Sequence, residues 1–125
     1  MNDHFIQTMN IEQFREYCLH FPAVTEETPF GPDNLVYKVK GKMFALCGID
    51  DFGSVNLKCD PERSIELREQ YPQITPGYHM NKTHWNSVLV AELPDKFVKE
   101  LIRHSYELVK SSLPKKTQAE IALGN

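Results

Sequence analysis

Between Leu35 and Cys59 the chain alternates apolar and polar residues with a period of two, in short runs separated by turn residues. Leu35, Tyr37 and Val39 fall on one face of the first run, with Val36 and Lys38 on the other. Lys40 and Gly41 supply a tight turn into a second run, Lys42 to Cys47. A loop from Asp50 to Gly53 leads to a third, in which Val55, Leu57 and Cys59 point inward and Asn56 and Lys58 outward. A two-residue turn joins only antiparallel neighbours, since parallel ones need a crossover of about a dozen residues. The spacing therefore predicts an antiparallel sheet with one buried face, and Thr25 to Pro29 is a candidate fourth strand.

Helical periods flank this core. Asn10 and Gln13 form a capping-box pattern, and Ile11, Phe14, Cys18 and Phe21, joined by Tyr17, recur at helical spacing until Pro22 ends the run. Asp60-Pro61 is a strong helix start: the carboxylate accepts from unpaired N–H groups and proline suits the first helical position. That helix, to about Gln70, has a thin stripe of Ser64, Leu67, Arg68 and Tyr71 and is expected on the surface. Residues from Tyr71 to Gly77 read as a loop, and Trp85 to Val90 as a strand. From Pro94 the longest helix carries a wide apolar stripe that includes Phe97, Val98, Leu101, Ile102, Ser105 and Val109. The pattern is that of an α+β chain forming one domain over residues 1–125, with 1–9 and 117–125 as loose ends.

Charge and cysteine usage narrow the function classes. The net charge of −3 argues against a dedicated nucleic-acid binder. Acidity is concentrated at the start, however: the first 36 residues carry Arg15 against Asp3, Glu12, Glu16, Glu26, Glu27 and Asp33, so a basic surface elsewhere is compatible with the total. Cys18, Cys47 and Cys59 sit at wide spacings within apolar patterns, as buried thiols rather than a disulfide framework. With no apolar run long enough to span a bilayer and no signal pattern, a cytoplasmic protein without membrane contact is expected.

The densest chemistry lies between Pro76 and Ser87, which holds the sole Trp, Tyr78, His79, Asn81, Lys82 and His84. His79 and His84 lack a neighbouring ligand at zinc spacing, so neither a metal nor another cofactor is expected. Cys47 and Cys59 face the expected core, which leaves no nucleophile pair, and the scattered glycines make no phosphate loop. A non-enzymatic role follows. Lys38, Lys40, Lys42 and Lys58 surround the hairpin, and Lys82, His84 and Trp85 form a cation-plus-aromatic cluster suited to phosphates and bases, or else a strand anchor with solubilising lysines.

These stretches resemble the MmcQ/YjbR-like family. The resemblance is carried by Phe30-Gly-Pro32, Val36 to Ala45, Leu57-Lys-Cys-Asp-Pro-Glu62, Pro76 to Asn86, Ser105 to Val109 and Leu113 to Lys116. It implies a frataxin-like (CyaY-like) fold, a twisted antiparallel sheet with helices packed against it, and a DNA-binding role with β-hairpin double wings. The corresponding wings here are the Lys38 to Lys42 hairpin and the Tyr78 to Trp85 stretch. Lys40, Lys42 and Lys82 are then candidate phosphate contacts, while Tyr78, His79, Asn81, His84 and Trp85 shape or contact the site. The alternative is a protein-interaction or small-ligand module using the same stretch; an acid–base enzyme using His79 and His84 ranks third. Frataxin-type iron handling would need a denser acidic ridge than Glu12, Glu16, Glu26 and Glu27 provide.

Overall fold

A computed structural model describes residues 7–50, 52–77 and 80–124. Helix α1 (Ile11–His20) opens with the expected reciprocal cap: Asn10 Oδ1 accepts from the Gln13 backbone N–H at 2.8 Å, and Gln13 Oε1 from that of Asn10 at 2.9 Å. Strands β1 (Val24–Glu27), β2 (Asn34–Val39), β3 (Lys42–Gly48) and β4 (Val55–Lys58) follow, then α2 (Pro61–Gln70), where Asp60 accepts from Glu62 and Arg63 as its sequence requires. Next come β5 (Ile74–Pro76), β6 (Trp85–Val88), a short 3-10 turn, α3 (Asp95–Ser111) and α4 (Lys115–Ala122).

The strands form one antiparallel sheet in the order β1-β2-β3-β4-β6-β5. Leu35, Tyr37, Val39, Ala45, Cys47, Val55, Leu57 and Val88 line the face that carries the helices, packed with Phe14 and Cys18 of α1 and Val98, Leu101, Ile102, Tyr106 and Val109 of α3. Phe14 meets Tyr37 edge-on at 5.7 Å, and Phe21 stacks on Tyr106 at 4.5 Å. Burial of each such large side chain stabilises the fold by roughly 1.5–3 kcal/mol.

A bulge fixes α3 onto the sheet. Tyr37 pairs with Ala45 but Lys38 pairs with Met43, which leaves Phe44 as the extra residue. Its carbonyl accepts the Ser105 hydroxyl at 2.6 Å, while Ser105 Oγ accepts from the Lys58 backbone N–H at 2.9 Å. One buried serine thus satisfies backbone groups of two strands.

Two elements differ from the sequence reading. Residues 74–76, read as loop, are the edge strand β5, with Ile74 opposite Val88 and Pro76 opposite Asn86. Three residues are too few to show a period, and an edge is where a sheet tolerates proline. The stretch 117–125, expected to be loose, is helical as far as Ala122, with Ile121 buried and the Gln118 amide donating to the Leu113 carbonyl at 2.8 Å. At the other end, Met9 is buried and the Gln7 carbonyl accepts from Asp95, so residues 7–9 are docked on the helical side.

Candidate nucleic-acid interface

Lys40 and Gly41 both adopt positive φ, 49° and 83°, which makes the β2–β3 connection a primed hairpin turn whose twist matches its strands. Lys40 and Lys42 are exposed beside it. The registers Ala45 with Leu57 and Lys58 with Trp85 bring this turn and the start of β6 to the same end of the sheet. Only β4 separates β3 from β6, so the strands that the two connections lead into stand two spacings apart, about 10 Å. Lys58 lies between them.

The β5–β6 connection is held from below. Gly77 N–H donates to the Trp85 carbonyl at 2.9 Å, and the Asn81 carbonyl accepts from His84 and Trp85. Asn81 Oδ1 accepts from the Thr83 backbone N–H at 2.9 Å, an Asx turn, so this side chain shapes the connection. Arg68 of α2 reaches across it: Nη2 donates to the Lys82 carbonyl at 2.6 Å and the Trp85 carbonyl at 3.2 Å, and Nε to Asn86 Oδ1 at 2.8 Å. Asn86, itself buried, donates to Ser64 Oγ at 3.2 Å. Lys82 and His84 are exposed on the resulting turn.

Trp85 is only 6% exposed. Strand alternation puts it on the face opposite Asn86 and Val88, outside the main core cluster, with Lys58 Nζ 5.9 Å from its ring centroid. A Cβ on Gly77 would come within 3.1 Å of Trp85 Cβ, so the backbone there closes directly on this residue. The indole is an anchor, and a stacked base cannot reach it without opening the connection. Tyr78 and His79 lie outside the described residues. The acid–base pairing of His79 with His84 therefore has one described member, His84.

Of the acidic candidates, Glu26 and Glu27 are engaged structurally. Glu26 receives two bonds from Arg15 and one from the Tyr37 hydroxyl, which hold its carboxyl below the usual range, and Glu27 pairs with Lys38 at 3.0 Å. Burial pushes the Cys18 and Cys59 thiols up, away from a reactive thiolate. Among the described residues no three His, Cys, Asp or Glu side chains gather as a metal site would need, and no helix is long and apolar enough to cross a membrane.

A family model described as YjbR matches residues 19–108, a range that contains all six strands of the sheet, α2 and both cationic turns. The chain belongs to the YjbR family. It is 38% identical over 115 residues to the uncharacterized protein YbdF of Escherichia coli O157:H7, covering 90% of this chain and 94% of that one. It is 31% identical over 108 residues to the uncharacterized protein YjbR of Escherichia coli K12, covering 85% and 92%. The crystal structure of Deinococcus radiodurans protein DR2400, which carries the DUF419 domain, matches with a TM-score of 0.85 at 39% identity, over 92% of this chain and 89% of that one.

Within this YjbR-family chain the residues that sequence reasoning missed are Arg68, Asn86 and Gly77. A signal existed for Arg68, since it falls on the inward stripe of α2 with Ser64 and Leu67, where an arginine needs partners. What those partners are depended on β6 lying beneath α2.

Proposed function

We propose that this YjbR-family chain is a non-enzymatic cytoplasmic DNA-binding or regulatory module that works through Lys40, Lys42 and Lys82, with Asn81 and His84 shaping or contacting the site. The observation that carries the reading is the emergence of the two lysine-bearing connections from one end of the sheet, leading into strands that only β4 separates. Exposed lysines so arranged suit phosphates along a nucleic-acid backbone, and ammonium groups attract them without reading bases. The β2–β3 hairpin serves as one wing and the β5–β6 connection as the other. Burial of Trp85 makes phosphate contact, not indole stacking, the source of affinity. The proposal also takes the fold as frataxin-like, which the single helical layer on an antiparallel sheet supports.

The test is anisotropy of a labelled duplex across a salt series. Binding should weaken as salt rises, and Lys82→Ala should reduce the slope of log K against log salt by about 1, as should Lys40→Ala or Lys42→Ala. Absence of binding at low salt, or a slope that Lys82→Ala leaves unchanged, refutes the reading.

A further inference from the structure

The sheet face away from the helices is not flat. Phe30, from the β1–β2 connection, and Met80, from the β5–β6 connection, border a groove of about 520 Å³ whose floor includes Leu46, Asn56 and Ser87. These floor residues stand side by side on β3, β4 and β6, since Leu46 pairs with Asn56 and Asn56 with Ser87. We propose that this groove binds a neutral, flat heteroaromatic small molecule, with Phe30 and Met80 against its ring and Asn56 at its polar edge.

Four observations carry the assignment. Its volume falls in the range of small-molecule sites, roughly 300–1,000 Å³. Every residue lining it is uncharged, including Asn34 beyond the floor row, although lysines and acids lie elsewhere on the same face; an ionic ligand would lose hydration there without a partner. The floor changes from apolar at Leu46 to polar at Asn56 and Ser87, and the Ser87 hydroxyl donates to Asn56 Oδ1 at 2.9 Å. That bond fixes the amide so that Asn56 Nδ2 remains as a donor for a ring acceptor. Phe30 is 64% exposed, an aromatic face kept in water beside the groove, and Met80 supplies a pliable thioether opposite polar groups. Because β3 and β4 are interior strands with their backbone groups in ladders, the groove offers no edge for an added peptide strand.

The groove shares the β5–β6 connection with Lys82 through Met80 but contains none of the lysines, and its test does not rest on DNA binding. Amide resonances of the full chain are followed by NMR while adenosine or caffeine is added as a neutral ring probe, with cyclohexanol and benzoate as non-planar and charged controls. The expected result is saturable shifts at Leu46, Asn56 and Ser87 with the ring probes alone, weakened about tenfold by Phe30→Ala, a scale set by loss of one aromatic stacking partner. Leu46→Lys, which places a charge on the floor, should abolish them. Phe30→Ala should leave the salt slope for duplex DNA unchanged. No saturable shift with either ring probe, equal shifts with the controls, or affinity indifferent to both substitutions would overturn the assignment, whatever the duplex titration gives.

Discussion

The Arg68 guanidinium donates to Asn86 Oδ1 at 2.8 Å, and through this bond α2 holds the strand that the cationic connection leads into. The same side chain takes the carbonyls of Lys82 and Trp85, so one arginine sets the path of the chain on both sides of the indole. Arg68→Ala should destabilise the fold by about 1–3 kcal/mol, because Asn86 is left with a buried acceptor unpaired. Arg68→Lys should recover little, since a single ammonium cannot reach acceptors in the directions the guanidinium fork spans. Urea unfolding followed by Trp85 fluorescence measures both.

Iodide should quench Trp85 far less in the folded chain than in urea, given its 6% exposure. Trp85→Ala should cost about 3–5 kcal/mol by opening a cavity. Gly77→Ala should also lower the unfolding midpoint, because its methyl meets Trp85 Cβ and two oxygens at 3.1–3.3 Å. Strong iodide quenching in the native chain would contradict the anchoring role.

Ser105→Ala should be among the costlier of the conservative substitutions in α3, at about 1–3 kcal/mol. It removes a hydroxyl that donates to Phe44 and accepts from Lys58, leaving two backbone groups unmatched at the bulge. Ser105→Thr retains the hydroxyl but adds a methyl at a fully buried position, so both variants should unfold earlier in urea than the parent chain.

Acid should act in two windows. Burial, then the charge of Arg63, holds His104 below the usual 6.5, and its Nε2 accepts from the Asp60 backbone N–H. The neutral ring therefore favours the fold above pH 6.5, and that contribution is lost as pH falls through the lower folded value. Glu26 is likewise depressed from 4.5, by its bond from Arg15 first and that from Tyr37 after, so its contribution is present above pH 4.5 and disappears below. Glu26→Gln should cost about 1 kcal/mol at neutral pH, the scale of a partly exposed pair, and should flatten the lower window alone. His104→Gln should flatten the upper one. Urea midpoints measured from pH 7 to pH 3 in each variant, values spanning roughly both windows, test this.

Local chemistry determined much of this protein from sequence. The Asn10 capping box, the Asp60-Pro61 start, the Lys40-Gly41 turn and the alternation from Leu35 to Cys59 depend on residues within a few positions of one another, so α1, α2, the hairpin and the buried face of the sheet were legible before any contact between distant segments was known. The Pro76 to Asn86 segment likewise identified the family. Tertiary structure decided the rest. Strand β5 exists because β6 offers Ile74 and Pro76 a ladder, and α4, at eight residues, is too short to persist without packing of Ile121. Trp85 became an anchor, and Arg68 its support, only when α2 and β6 met. The groove between Phe30 and Met80 joins residues 50 positions apart in sequence. Periodicity records which face of an element is apolar, whereas the partner of a lone arginine or the exposure of a lone indole is set by chain segments that no local pattern brings together.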